Sequence, residues 1–238
     1  MSQYSTVVII PTLNEEQSIE TLLHQLFSLA IDILIVDDGS KDLTIEKAKV
    51  FDPQGKRLHF LLRDRKLGLG NAYRAGYKWA LDRKYERVIQ MDADGSHQVT
   101  DLVKMMDFSD RNPEIELVIG SRWIPGGRVV NWNKGRELLS RAANSYTQAL
   151  MRLNISDATA GFRIYRSKLL TRMDIQGVKS EGYCYQIEMT REACLVQAVI
   201  REVPITFMER EFGASKMSMK IVIEAMVRVT LWGIVKTK

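Results

Sequence analysis

Short runs of β-branched and aliphatic residues alternate with longer amphipathic segments along the first 120 residues. Apolar runs of four or five residues are typical of strands buried on both faces, and the predicted strands are residues 6–10, 33–36, 58–62, 87–91 and 116–120. The segments between them repeat apolar residues with a helical period, and the predicted helices are residues 15–29, 44–50, 68–82 and 99–108. This alternation predicts an α/β fold with a mostly parallel central sheet flanked by helices.

The alternation changes after residue 121. Residues 123–133 contain a proline, two glycines and two tryptophans, and they predict a loop long enough to indicate function or mobility. The elements predicted beyond it are a helix at 134–153, a turn at 157–161, a strand at 162–165, a helix at 183–197, a strand at 198–207 and a terminal helix at 217–235. No linker separates the two parts, so we expect residues 1–238 to form a single domain in which 122–216 pack onto the sheet of 1–121.

The composition, 45% hydrophobic and 26% charged, is that of a soluble globular protein. Cys184 and Cys194 are too few and wrongly spaced for a zinc site, and they indicate reduced thiols. The N-terminus lacks the basic and apolar regions of a signal peptide, so we expect a cytoplasmic protein.

Charge is distributed unevenly along the chain. Residues 1–119 carry 15 Lys and Arg against 19 Asp and Glu, a net charge of −4, whereas residues 120–238 carry 19 against 10, a net charge of +9. An acidic part suited to a metal ion and a basic part suited to phosphate indicate a site for two substrates. The basic residues are dispersed among predicted helices without a zinc finger or RNA-binding signature, so we expect no nucleic acid partner.

The terminal helix is apolar except for Lys220, Glu224 and Arg228, which lie four residues apart. Its longest uncharged run, 229–235, is far shorter than the roughly 20 residues that a membrane span requires. Two alternatives remain open for residues 217–238. The helix lies at a membrane surface or docks on a membrane-embedded partner protein, or it is buried against the domain.

Three predicted strand ends carry polar chemistry: residues 11–15, 37–40 and 92–94. The carboxyl ends of parallel strands open on one edge of a sheet, where α/β proteins bind ligands. Asp92 and Asp94, one residue apart, suit a hard cation such as Mg²⁺ or Mn²⁺ that also binds substrate phosphates, although a solvated turn has the same composition. The first loop has no glycine and there is no Walker lysine motif, which favours a nucleotide held by acidic residues and a metal ion.

These motifs carry a resemblance that extends from about residue 5 to 220. The first-half segments 11–15, 37–40, 67–76, 91–94 and 120–122 resemble the inverting GT-A glycosyltransferases of family 2. The second half resembles the branch of polyprenol (dolichol) monophosphate mannose synthases at Arg136, Ser140, Asn144, Asp157, Gly161, Phe162, Phe207, Arg210, Gly213, Ser215 and Lys216. One departure is Gly95, which replaces a larger apolar residue after the two aspartates.

The resemblance implies transfer of mannose from GDP-mannose to a polyprenyl phosphate, with inversion, at the cytosolic face of a membrane. Carried over by position, it implies that the donor is bound by Pro11, Leu13, Glu15, Val36, Asp38, Asp92, Ala93, Asp94, Ser96, Arg122, Arg210 and Lys216. It implies a metal site at Asp92, Asp94 and Ser96, and an acceptor-phosphate site at Arg122, Arg136 and Ser140. The implied catalytic residues are Asp94, Arg122, Arg136, Ser140 and Arg210.

Elementary chemistry supports these roles independently. A phosphate monoester has a second pKa of about 6 and is largely dianionic at pH 7, so this nucleophile needs positioning and charge shielding rather than a general base. Arginine grips phosphate oxygens in pairs and stays protonated. Without the resemblance, however, Arg136 and Ser140 also fit a solvated helix face, because they lie four residues apart.

Three alternatives remain open at the level of function. In the first alternative the donor is UDP-glucose or another nucleotide sugar; it stays open because no residue pattern separates guanine from uracil. The chain is a nucleotide-sugar-binding subunit without activity. Or it is a soluble transferase acting on a saccharide hydroxyl, which requires a base, and Asp157 is the one candidate that the sequence offers.

Overall fold

The computed structural model describes residues 4–180, 182–209 and 219–234. Its strands are β1 Thr6–Thr12, β2 Asp32–Asp37, β3 Leu58–Leu62, β4 Arg87–Gln90, β5 Leu117–Ser121, β6 Arg128–Val130, β7 Arg163–Arg166, β8 Ile200–Pro204 and β9 Thr206–Met208. Its helices are α1 Ile19–Leu26, α2 Thr44–Lys49, α3 Leu69–Asp82, α4 Val99–Arg111, α5 Lys134–Met151, α6 Ser167–Arg172, α7 Gly182–Leu195 and α8 Met219–Ile234.

Seven strands form a central sheet in the order β3-β2-β1-β4-β7-β5-β8. Strand β7 runs antiparallel to its neighbours β4 and β5, and the other neighbouring pairs are parallel. The predicted α/β class with a mostly parallel sheet is therefore confirmed. The carboxyl ends of β1, β2 and β4 lie side by side at one edge, where their polar loops meet.

Strand β1 divides the core into two layers because its side chains alternate between the two faces of the sheet. Val7 and Ile9 pack in the cluster that contains the tyrosines of α3, whereas Val8 and Ile10 pack in the cluster formed with α1. Gly76 permits the close approach of α3, since a Cβ at that position would lie 2.7 Å from Cγ2 of Ile9.

Three predictions beyond residue 121 need correction. The predicted loop 123–133 contains β6, and the predicted strand 198–207 is divided between two sheets: β8 joins the central sheet, while β9 pairs in parallel with β6. The division falls after Pro204, which has no N–H to donate to a ladder. Helix α6 was not predicted at all, because its six residues are too few to show a helical period.

In the first half of the chain, the predicted start of the first helix needs a small correction. Helix α1 begins at residue 19 rather than 15, because the chain at 15–18 is held as a turn. The backbone N–H groups of Glu15 and Glu16 donate to side chains of the next loop, Oγ1 of Thr44 at 2.8 Å and Oδ2 of Asp42 at 3.1 Å.

Helix α8 packs against α5 and α7. Val229 is buried there, and the hydroxyls of Tyr146 and Thr230 are 2.7 Å apart. Met226, Val227 and Leu231 remain between 44% and 57% exposed. One face of α8 is thus buried against the domain, as the second alternative predicts. The exposed face leaves the first alternative, a membrane surface or a membrane-embedded partner, open. Among the described residues, no helix combines the length and apolarity needed to cross a membrane.

Candidate active site

A cavity of about 460 Å³ opens at the carboxyl edge of the sheet. The predicted site residues that line it are Pro11, Leu13, Glu15, Asp38, Asp92, Ala93, Asp94, Ser96, Arg122 and Arg136. The acidic pair and both arginines therefore share one cleft, as the two-substrate interpretation requires.

Two predicted residues do not reach the wall of this cavity. Val36 is fully buried in the core beneath it, because it lies inside β2 rather than in the loop that follows. Ser140 lies one helical turn beyond Arg136 on α5, outside the lining. Arg210 and Lys216 fall outside the residues that the structure describes.

The loop after β2 is organised by Asp37. Its carboxylate accepts hydrogen bonds from the N–H groups of Gly39 and Ser40, at 3.0 and 2.8 Å, and from Oγ1 of Thr12 at 2.7 Å. Gly39 has φ +80°, a conformation that glycine adopts without strain. These bonds fix the loop against the end of β1.

Asp38 connects that loop to the start of α3. It forms an ion pair with Arg63, and its Oδ2 accepts from the N–H groups of Leu67 and Gly68, both at 3.1 Å. The carboxylate thus holds the helix entry in place while it lines the predicted nucleoside end of the cavity.

The acidic pair follows β4 on a loop held by neighbouring side chains. The hydroxyl of Tyr73 donates to Oδ1 of Asp92 at 3.1 Å, and Oδ1 of Asp94 accepts from the N–H of Ser96 at 3.1 Å. Burial and the charge of Asp92 hold the pKa of the Tyr73 hydroxyl well above its usual range. Tyr73 therefore remains a neutral donor at physiological pH.

His97 holds the backbone of the same loop through a hydrogen bond. Its Nδ1 accepts the backbone N–H of Asp92 at 3.1 Å, and its ring stacks on Phe162 with centroids 4.6 Å apart. Burial lowers the pKa of His97, although the nearby charges of Asp92 and Asp94 act in the opposite direction. The hydrogen bond and the lowered pKa agree on a neutral imidazole.

The residues present fit a hard divalent cation. Asp92 and Asp94 supply carboxylate oxygens at the cavity, and the buried hydroxyl of Ser96 has no hydrogen-bond partner among the described residues. Within the same part of the chain, no group of three or more His, Cys, Asp or Glu converges as a complete metal cage. This arrangement suits Mg²⁺ or Mn²⁺, which bind through one or two carboxylates together with waters and substrate phosphates.

Two arginines that line the same cavity lie in different environments. Arg122 is buried and donates Nε and Nη2 to the two carboxylate oxygens of Asp157, each at 2.7 Å. Its Nη2 also donates to Oγ1 of Thr159 at 2.8 Å. Arg136 lies half-buried over the ring of Trp132, 4.0 Å from its centroid, and pairs with Glu209.

The environment of Asp157 bears on the alternative in which it acts as a base. The side chain is fully buried, and besides the guanidinium it accepts the backbone N–H of Arg122 at 3.0 Å. Asp157 is absent from the cavity lining, so its position supports a structural anchor and not a base that reaches a substrate.

Several lining residues were not among the predicted site residues: Thr12, Lys66, Gly68, Leu69, Ala72, His97, Thr159, Gly161, Gly182, Gln186, Phe207 and Glu209. His97 follows the acidic motif directly and was within reach of a motif search. Gly161 and Phe207 are among the positions of the family resemblance, but the resemblance implied no binding or catalytic role for them. Gln186 and Glu209 have no local signal, because contacts far along the chain place them here.

The mostly parallel sheet and the cavity at its carboxyl edge are those of the GT-A fold. A glucosyl-3-phosphoglycerate synthase from Mycobacterium tuberculosis, solved with UDP, superposes with a TM-score of 0.68 at 16% identity, covering 96% of this chain and 80% of that chain. The same enzyme solved with Mn²⁺, UDP-glucose and glycerol 3-phosphate gives a TM-score of 0.64 at 18% identity, covering 96% and 78%. At these identities the likeness shows the fold alone.

The profile of Glycosyl transferase family 2 matches residues 7–173, and the chain belongs to this family. It is 44% identical to a polyprenol monophosphomannose synthase from Mycolicibacterium smegmatis, over 96% of this chain and 87% of that protein. It is 43% identical to an undecaprenyl-phosphate mannosyltransferase from Micrococcus luteus, over 96% and 93%. The resemblance read from the motifs is confirmed by these relatives.

Proposed function

We propose that the protein transfers a mannosyl group from GDP-mannose to a polyprenyl phosphate, with inversion, at the cytosolic surface of a membrane. The observation that carries this proposal is the shared cavity, in which Asp92 and Asp94 form one wall while Arg122 and Arg136 form another. The names of the two relatives, both above 40% identical over almost the whole chain, support the same acceptor class and sugar.

In the proposed reaction an oxygen of the acceptor phosphate attacks the anomeric carbon of mannose from the side opposite the leaving group. The bond between that carbon and the β-phosphate oxygen breaks, and GDP leaves with the electron pair. Asp92, Asp94 and Ser96 would hold a divalent cation, which would neutralise charge on the diphosphate. The acceptor is already deprotonated near neutral pH, so the proposal needs no general base.

Arg136 is the proposed principal ligand of the acceptor phosphate. Its guanidinium is partly exposed at the cavity, and the carboxylate of Glu209 already occupies it as an anion. An incoming phosphate dianion would compete with that carboxylate, since both make charge-assisted bonds to guanidinium. Arg122 lines the same cavity, and the buried carboxylate of Asp157 fixes its orientation.

Pro11, Leu13, Glu15 and Asp38, which also line the cavity, form the proposed guanosine pocket. Arg210 and Lys216 keep their proposed role of closing over the donor. A protein subunit that anchors the enzyme to the membrane is compatible with the exposed face of α8, on Met226, Val227 and Leu231.

A transfer assay with undecaprenyl phosphate in vesicles tests the proposal. GDP-mannose and UDP-glucose are compared, each with Mg²⁺, with Mn²⁺ and with a chelator. We expect a mannolipid of inverted anomeric configuration from GDP-mannose, with a rate that the chelator abolishes. If UDP-glucose gives a glucolipid at a higher rate than GDP-mannose gives a mannolipid, UDP-glucose replaces GDP-mannose as the proposed donor. Donor binding in calorimetry without any lipid product would favour a non-catalytic binding subunit.

A further inference from the structure

A buried amide on α7 faces the cavity with part of its hydrogen-bonding capacity unused. Gln186 is 3% exposed and lines the cavity, and its carboxamide oxygen finds no hydrogen-bond partner among the described residues. The backbone carbonyl of the same residue accepts from Oγ1 of Thr190 at 2.9 Å.

An unpaired polar atom of this kind is costly in a folded protein, because it loses its water without gaining a replacement. Such atoms are rare and point to a partner that the protein chain does not supply. The location of Gln186 on a helix wall means that a ligand in the cavity can provide that partner.

Gly161 marks the space next to this amide. A Cβ built on Gly161 would lie 3.5 Å from Nε2 of Gln186, 3.6 Å from Oδ2 of Asp92 and 3.7 Å from Cε1 of His97. The absence of a side chain at Gly161 therefore leaves room at the point where these three side chains come closest. A methyl group there would occupy that room at ordinary contact distances.

We propose that the carboxamide of Gln186 binds one hydroxyl of the donor sugar. This inference rests on the proposed function, which puts the diphosphate at Asp92 and Asp94 and the acceptor phosphate at Arg136. The sugar joins these two, and Gln186 borders the same stretch of cavity beside Asp92. A neutral amide that accepts through its oxygen and donates through its nitrogen suits a hydroxyl, whereas the phosphates have cationic partners nearby.

Donor binding, measured by calorimetry with Mg²⁺ and without acceptor, tests this contact. The ligands are GDP, GDP-mannose and the four monodeoxy analogues of GDP-mannose. A buried hydrogen bond to a substrate hydroxyl predicts that one analogue binds the wild type about 10-fold more weakly than GDP-mannose. Gln186→Leu should weaken GDP-mannose by a similar factor, leave GDP within about twofold, and remove the penalty for that same analogue.

Two further variants keep the test independent of folding defects. Thr190→Val removes a buried hydroxyl one helical turn along α7, away from the cavity, and should change neither GDP nor GDP-mannose binding. Gly161→Ala fills the space beside the amide and should weaken GDP-mannose but not GDP.

The inference is overturned if Gln186→Leu weakens GDP as much as GDP-mannose, which would indicate a phosphate contact. It is also overturned if every analogue keeps its penalty in that variant. The expected coupling together with no mannolipid in the transfer assay would overturn the proposed function and support the role of Gln186.

Discussion

The two walls of the cavity are held by different kinds of contact. The acidic wall consists of loops that directly follow β1, β2 and β4. Its hydrogen bonds join groups close in sequence, groups at the ends of adjacent strands, or these loops to helix α3 and the residues that lead into it. The basic wall joins distant segments: Arg122 pairs with Asp157, 35 residues away, and Arg136 pairs with Glu209, 73 residues away. The sheet fixes the first wall, whereas tertiary packing must assemble the second.

The two arginines of the basic wall show what burial does to a charge. The side chain of Arg122 is 5% exposed and its partner Asp157 is fully buried, so neither ion is stable without the other. The side chains of Arg136 and Glu209 are 16% and 27% exposed, and water shares in their solvation. The first pair is therefore suited to holding the wall together, and the second to exchanging one anion for another.

The largest expected effect is on the acidic wall. Asp94→Asn should reduce the rate of mannosyl transfer by about 10³-fold, since metal stabilisation of transition-state charge is worth several kcal/mol and each 1.4 kcal/mol is about tenfold. Single-turnover rates across a Mn²⁺ titration measure the loss. Asp107→Asn, in an exposed pair on α4, is the matched control and should retain wild-type rates.

The second effect is on the stability of the basic wall. Asp157→Ala should lower the free energy of unfolding by about 3–5 kcal/mol, because it leaves the guanidinium of Arg122 buried without its carboxylate. Urea unfolding followed by circular dichroism measures the change. Glu137→Gln breaks the exposed pair with Arg141 and should cost less than about 1 kcal/mol. Equal losses in the two variants would contradict the distinction between buried and exposed pairs.

A smaller effect separates acceptor binding from donor binding. Arg136→Ala should lower turnover roughly 10- to 100-fold through loss of charge-assisted bonds to the acceptor phosphate, while the Kd for GDP stays within about twofold. Transfer kinetics and calorimetry on the same preparation give both quantities. Arg141→Ala, on the same helix and stacked over Trp123, should leave turnover nearly unchanged. Parallel loss of turnover and GDP affinity would remove Arg136 from the acceptor site.

The smallest effect concerns the support of a metal ligand. Tyr73→Phe should weaken Mn²⁺ binding in the presence of GDP by about 10-fold, because the hydroxyl that orients Asp92 is lost. Titration of Mn²⁺ by calorimetry measures it. Tyr77→Phe removes the neighbouring buried hydroxyl, which bonds Gln90 at 2.6 Å, and serves as the control. If the two variants lose the same affinity, the effect is general to the α3 packing.

The sequence was sufficient to predict the three acidic loops because each follows its own strand directly in the chain. Short apolar runs predict buried strands, and the loops that follow the strands of a parallel sheet reach the same edge. The strand ends thus predict Asp92, Asp94 and Asp38 at one edge of the sheet. Val36, one of the predicted donor residues, lies two positions before the loop; it belongs to strand β2 and does not line the cavity.

The basic wall could not be derived in the same way. The pairing of β6 with β9, the burial of Asp157 under Arg122 and the arrival of Gln186 at the cavity depend on contacts between segments tens of residues apart. Residues 134–140 have a helical pattern that fits solvent exposure as well as a binding wall, and the resemblance to a family rather than periodicity selected Arg136.

The sequence by itself determined the fold class, the acidic edge and the family, because hydrophobic period and short motifs are properties of neighbouring residues. The tertiary structure alone decided which arginine is fixed by a buried carboxylate, which one pairs with a partly exposed carboxylate, and that an unsatisfied amide stands beside the acidic pair. Burial and charge pairing depend on what the rest of the chain brings to each side chain, and that becomes defined only when the sheet and its helices have packed.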